Sequence, residues 1–285
     1  MLVIIGFLIV TSCVIGGYLL EHGNLSVLFQ PVELLIIGGA AVGGFLIAAS
    51  FKTAKNVLVA VLSTLTHKSP GKEEYLDSLR LLNGIFYKIR QQGLVSIESD
   101  VDEPEKSPLF NKFPQIMRNQ RVIGIITDTL RLVMTTTIAS HELEALIDTE
   151  LEGHFEELIL PSKMVNFVAD SLPGLGIVAA VLGIVLTMGK IDSPPAVLGN
   201  SIGAALVGTF LGVLLCYGYV GPLGKNLEHV AMEELQYLVV YKVALVSFVG
   251  GSAPKVALEF GRRVIPNESK PGFLEVEEAL RTQKK

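Results

Sequence analysis

The string Gly174-x-Gly176-x-x-Ala179 has the spacing of a dinucleotide fingerprint, and His141-Glu142 begins like a helical zinc-protease motif. Neither can do that chemistry. A pyrophosphate cradle needs a preceding strand and a phosphate-facing helix start, whereas Pro173 opens an apolar stretch. The zinc motif needs a second histidine where Ala145 stands, and Gly250-Gly251-Ser252 reads as a flexible turn with no base for its serine. No catalytic residue, cofactor or metal ligand is assigned, and the chain reads as something other than an enzyme. Thr187 and Thr209 are the main polar groups within the last two long apolar stretches, and Glu33 and Asp170 stand at stretch ends.

The elements that carry these residues are membrane spans. The 285 residues are 50% hydrophobic and only 18% charged, with a mean hydropathy of +0.52. Soluble domains carry nearer a quarter charged residues. A lipid-spanning helix needs about 20 apolar residues, because hydrocarbon satisfies no open backbone group. Windows 1–20, 32–51, 168–189 and 201–223 meet that test. The first has no Lys or Arg before its apolar run and no small-residue cleavage site, so it reads as a retained helix. Cys13 and Cys216 both lie in apolar spans, away from disulfide or metal roles. The net charge of −5 excludes a broad basic surface for nucleic acid.

Charge orients the spans. The 21–31 connection holds one glutamate, and 190–200 holds only Lys190 and Asp192. Lys52, Lys55, Lys68 and Lys72 follow the second span; Lys225, Arg262 and Arg263 follow the fourth. The positive-inside rule therefore places both termini and segment 52–167 in the cytoplasm, with membrane lipid around the spans. That segment is too long for a bare connection. Tyr75, Leu79, Leu82, Phe86 and Ile89 recur at helical spacing until Gly93, and Pro104 and Pro108 break the next piece. Further helices are expected over 121–134, over 142–155 after Ser140 as N-cap, and over proline-free 226–249 as a continuation of the fourth span, with a polar, partly mobile tail from Pro266. No internal repeat is present. The fold expected is an all-α membrane protein: four transmembrane helices, a large helical cytoplasmic domain (52–167) between the second and third, and a cytoplasmic helix and tail (224–285).

Small residues recur four apart: Gly176 and Ala180, Ala179 and Gly183, Gly199 and Gly203, then Ala204, Gly208, Gly212 and Cys216. Such faces let membrane helices approach closely. They either pack one bundle tightly or meet other subunits and enclose another helix. No window has a charge at its centre, so any ion path needs a carboxylate from another chain. Pro173 and Pro222 sit near the cytoplasmic ends of the third and fourth spans, where antiparallel packing would bring them to one depth. They would there form a hinge beside an ion path, or simply mark helix ends.

Four stretches stand out, RQQGLVSIESDV (90–101), DSLPGLGIVAAVLG (170–183), VGTFLGVLLCYGYVGPL (207–223) and ALEFGRR (257–263), together with GGYLLEHGNL ahead of QPVELLIIGG. In these, and over nearly its whole length, the chain resembles the MotA family of flagellar stator subunits. ExbB and TolQ energy-coupling proteins are more distant, sharing the last two spans. The resemblance implies a pentameric ring around a dimer of MotB, a peptidoglycan-binding subunit whose membrane helix brings an aspartate. Ion flow past that aspartate turns the ring against the rotor's switch-ring protein, contacted through segment 52–167. Family torque contacts match Arg90 and Glu98, which alone would be ordinary surface charges. The channel-side prolines match Pro173 and Pro222, a polar position matches Thr209, and Asp170 opens the motif before Pro173. Ala180 stands where sodium-driven relatives tend to carry a hydroxyl. Sodium needs several oxygen ligands, whereas a proton hops through water, so losing one hydroxyl costs sodium more. A proton channel is expected, with a sodium-driven stator or an ExbB/TolQ-like energiser ring as the alternatives.

Overall fold

The computed structural model describes residues 2–282; Met1 of the first expected span and 283–285 of the expected tail lie outside the described residues. Helices are the only regular structure among them. They are α1 (Leu2–Leu20), α2 (Leu25–Leu28), α3 (Pro31–Ala48), α4 (Phe51–Ser63), α5 (Lys72–Gln92), α6 (Glu98–Asp102), α7 (Pro114–Met117), α8 (Gln120–Thr135), α9 (Ser140–Met188), α10 (Pro195–Leu214), α11 (Gly221–Val249), α12 (Pro254–Arg263) and α13 (Phe273–Thr282). By length and apolarity four stretches can cross a membrane: Leu2–Leu20, Leu25–Ala48 and parts of Ser140–Met188 and Pro195–Val249. The chain is a multi-pass membrane protein with a large helical insert between its second and third spans.

Three expected boundaries move. The second span stops at Ala48, because Ala49 is extended and the Ser50 hydroxyl accepts the Thr53 N–H at 3.1 Å, starting α4. The helices expected over 142–155 and 168–189 are one 49-residue helix that carries Pro161 and Pro173 inside it. Ser140 is its first residue rather than its cap; Glu142 accepts the Ala139 N–H at 3.1 Å instead. The fourth span runs on into the following helix as expected, but through a π turn at Leu215–Val220. Pro222 has no N–H for the turn before it, and the Gly221 N–H reaches back five residues to the Cys216 carbonyl.

The membrane unit comprises the residues up to His67 together with Leu158–Val230. Within it α1 meets the π turn: Thr11 and Tyr219 share a hydrogen bond of 2.8 Å, and Phe7 packs edge-on against the Tyr219 ring. The other unit comprises Lys68–Glu157 and the chain from Ala231. Its core takes the expected stripe of α5, with Tyr75, Leu79, Leu82 and Phe86 buried and Ile89 partly so. Ile125 and Ile126 of α8, Leu143 and Ile147 of α9, and Tyr241 of α11 close over that stripe.

The tail departs from expectation. Pro271 and Gly272 lead into α13, whose Glu275 accepts the Gly272 N–H at 2.6 Å and pairs with Lys72 of α5 at 3.1 Å. Val276 and Ala279, three apart, are buried on that side. Glu259 of α12 ties the region together. Arg262 donates to it twice at 2.7 Å and Arg263 once at 3.0 Å, and Arg262 also reaches the Pro271 carbonyl at 3.1 Å. Chiefly the Arg262 hydrogen bonds hold the Glu259 carboxyl down to about 2. A depressed carboxylate stabilises the fold above its unfolded-state range and loses that contribution as pH falls from about 4.5 to about 2. Glu259→Gln should therefore lower stability at pH 7 by roughly 2–3 kcal/mol. In thermal unfolding of the detergent-solubilised chain followed by circular dichroism, that difference should vanish near pH 2; a gap unchanged by acid would refute the assignment.

Candidate functional site

The glycines of α9 and α10 are where the backbones meet. A Cβ on Gly176 would stand 2.8 Å from the Gly208 carbonyl oxygen, and one on Gly212 would stand 2.6 Å from that of Leu172. On Gly183 it would meet Ala205 Cβ at 2.7 Å. Ala179, Ala180 and Ala205 are buried along the same line, and Ile37 and Ala41 of α3 cover its cytoplasmic half with Ala169, Leu172 and Cys216. Tight packing within one bundle is thus what Gly176, Gly183, Gly208 and Gly212 do. Gly174 and Gly199 have nothing within 4 Å of a built Cβ, and Ile177, Val181 and Val185 of α9 are exposed.

Of the residues expected on an ion path, Ala180 lies in this seam: its N–H nitrogen is 3.1 Å from a Cβ built on Gly208, the neighbour of half-buried Thr209. Pro173 is half-buried, and Asp170 and Pro222 are exposed. The prolines do not share a depth. Facing pairs 176/212 and 183/205 set Pro173 level with about residue 215, whereas the Ser162 hydroxyl donates to the Gly224 carbonyl at 2.8 Å. Pro222 is therefore offset from Pro173 by roughly two turns, about 10 Å. The antiparallel arrangement was legible; its register was not, because it depends on which glycines interlock.

Glu33 stands at a span end, as the sequence places it. It lies in the first turn of α3, but its side chain is only 9% exposed and reaches into the seam. Glu33 Oε2 is 3.0 Å from a Cβ built on Gly208, Oε1 is 3.6 Å from one on Gly183, and Oε2 has no hydrogen-bond partner. The signal was a lone acid two residues past the start of an apolar helix. Thr187 is no free hydroxyl: it is buried and donates to the Gly183 carbonyl at 2.8 Å.

The cytoplasmic candidates sit on either side of a tight corner. Arg90 is in the last turn of α5; Gly93 at φ +85° ends that helix, where a residue with a side chain would be strained. A 3₁₀ turn at Leu94–Ile97 then leads to Glu98, the first residue of α6. Arg90 and Glu98 are both exposed, and among the described residues neither is held in an ion pair or side-chain hydrogen bond. Asp100, which spacing did not single out, holds the corner. It is buried, pairs with Lys88 at 2.5 Å and accepts the Ser107 hydroxyl at 2.5 Å. Arg131 of α8 adds a second brace, donating to the Val101 carbonyl at 3.3 Å and to Asp102 at 3.3 Å. Among the described residues no group of three or more His, Cys, Asp or Glu is placed to hold a metal ion.

Two family models match the chain: motility protein A N-terminal over 4–93, and the MotA/TolQ/ExbB proton channel family over 118–237. Motility protein A of Salmonella typhimurium is 40% identical over 281 residues, covering 99% of this chain and 95% of that protein. Chemotaxis protein LafT of Vibrio parahaemolyticus is 35% identical, covering 98% of each. Among solved structures, the C. jejuni MotAB structure aligns at a TM-score of 0.75 and 18% identity over 93% of this chain and 96% of that one, which establishes a shared fold. The flagellar MotAB stator complex from Bacillus subtilis aligns at 0.69 and 21% identity over 90% and 92%. With whole-length identity of this order and two models that between them take in all four spans, the chain belongs to the MotA/TolQ/ExbB proton channel family, in its motility protein A branch.

Proposed function

We propose that this chain is the ring subunit of a flagellar stator, forming with a MotB-like peptidoglycan-binding partner a proton channel that turns ion flow into torque. The observation that carries the reading is the 40% identity to a motility protein over 99% of the chain, cytoplasmic insert included. The two N-terminal spans and the 90–98 corner favour a motor over an ExbB/TolQ-like energiser. Five copies enclose the partner's membrane helices, whose aspartate binds the proton. Asp170, Pro173, Ala180, Thr209 and Pro222 border that path, and the missing hydroxyl at Ala180 favours protons over sodium. Segment 52–167 contacts the rotor's switch-ring protein through Arg90 and Glu98, while 224–285 remains on the cytoplasmic side. Exposed ion pairs are worth ~0–1 kcal/mol, so such contacts engage and release at each step. One charge crossing the membrane supplies ~2.3 kcal/mol per 100 mV, enough to bias the step.

The test is swimming of a strain that lacks its own ring subunit but keeps the MotB-like partner. This chain should restore swimming, at a speed unchanged when potassium replaces sodium at constant pH and abolished by a proton uncoupler. Arg90→Glu and Glu98→Lys should each reduce torque several-fold at unchanged membrane abundance, with partial recovery from opposite reversals on the switch-ring protein. Speed that tracks sodium would overturn the proton assignment. Normal torque in both reversals would overturn the rotor contact.

A further inference from the structure

Glu33 is the one ionisable side chain of α3, and its placement is not that of a helix-end acid in water. Its side chain lies in the seam between α9 and α10, 9% exposed, with Oε2 partnerless and 3.0 Å from a Cβ built on Gly208. The flanking lengths of α9 and α10, 174–189 and Pro195–Leu214, carry no ionisable side chain at all. The ionisable groups that flank these lengths in sequence include Asp170, Lys190 and Asp192 beside α9, Cys216, Tyr217 and Tyr219 in the π turn, and Tyr18, Glu21 and His22 ahead of α2. Among the described residues no cation pairs with Glu33. An unpaired buried carboxylate is far more costly than the protonated acid, so a proton is the ligand this position selects. The small side chains matter too. Any residue larger than glycine at 208 would fill the space the carboxyl occupies.

From this placement we propose that Glu33 is a proton-binding group on the ion path, supplied by this chain itself. The inference rests on the stator reading and deepens it. Gly208 joins Glu33 to the Ala180–Thr209 level, and Gly183 lies five residues from the Met188 end of α9, roughly 8 Å from the side that charge distribution places outside. Glu33 takes up one proton from the outer aqueous side and hands it on toward the partner's carboxylate. It ends each cycle as it began, with no bond other than O–H made or broken.

The experiment uses the full complex of this chain with its MotB-like partner, both in swimming cells and in proteoliposomes that report proton flux. Glu33→Gln keeps the shape and loses the titration. Proton flux should fall by about tenfold or more, and its dependence on external pH should flatten, while membrane abundance and co-purification with the partner persist. Glu33→Asp keeps the titration one methylene further away and should retain a pH-dependent, slower flux. Should Glu33→Gln fail to accumulate, Glu33→Asp decides: a displaced pH profile supports the role, and a profile superimposable on the parent's overturns it. Wild-type flux and pH profile in Glu33→Gln would likewise overturn it. If the unaltered chain with its partner conducts no protons and drives no swimming, it is the stator reading that fails, whatever the Glu33 variants do.

Discussion

Gly212→Val is expected to remove most of the protein from the membrane, an effect on the order of tenfold in steady-state abundance. A Cβ there would stand 2.6 Å from the Leu172 carbonyl oxygen and 2.9 Å from Gly176 Cα, both backbone atoms that cannot rotate away. Overpacking a core costs typically ~1–3 kcal/mol where side chains can adjust, and more where a helix must retreat. Separating α9 from α10 by even an ångström also loosens the 176/208 and 183/205 contacts on the same line. The contrast is Gly174→Ala on α9, two residues from Gly176, where nothing lies within 4 Å. It should leave abundance unchanged or raise it, since alanine favours a helix interior by ~1 kcal/mol over glycine. Immunoblots of membrane fractions compare the two; equal abundance of Gly212→Val and the parent would show that the seam yields freely.

Asp100→Ala is expected to destabilise the Lys68–Glu157 and post-230 unit by about 3 kcal/mol and to free the corner that presents Glu98. Removing the carboxylate strands the Lys88 ammonium, whose side chain is 29% exposed, and deprives the buried Ser107 hydroxyl of its acceptor. Breaking one partner of such a pair costs more than the pair contributes, because the survivor stays desolvated. Asp100→Asn should lie between, since an amide oxygen still accepts from Ser107 but leaves Lys88 without a counter-charge. Amide exchange in the detergent-solubilised chain should accelerate over 94–113 first, before the buried stripe of α5. Torque should fall along with it even though Arg90 and Glu98 are intact. Protection of 94–113 equal to the parent's would reject the brace.

The four spans, their orientation and the stripe of α5 were all legible in the sequence, because each depends on a property local to the chain. Twenty apolar residues in a row, lysines after one span and not another, and a repeat of 3.6 need no partner to be read. The amphipathic face of α5 is buried where its spacing placed it. The candidate site was legible only as residue types: a small-residue face, two prolines and two charges in an insert.

What the sequence could not determine is whatever depends on two segments meeting. The expected break at 156–167 is absent, since Pro161 and Pro173 are accommodated inside α9, and Pro222 in the first turn of α11 is accommodated by a π turn. Two turns of offset between Pro173 and Pro222 follow from Gly212 interlocking with Gly176, a register that neither helix contains alone. The tail became a helix because Val276 and Ala279 found α5 and Glu275 found Lys72. The sequence places Glu33 at a span end and no more; only the absence of side chains at Gly183 and Gly208, far along the chain, makes room for its carboxyl inside the membrane unit. Composition and periodicity determine which elements form and which side faces lipid or core. Which carboxylate is stranded without water is decided by the tertiary structure, because desolvation is a property of the surroundings and not of the residue.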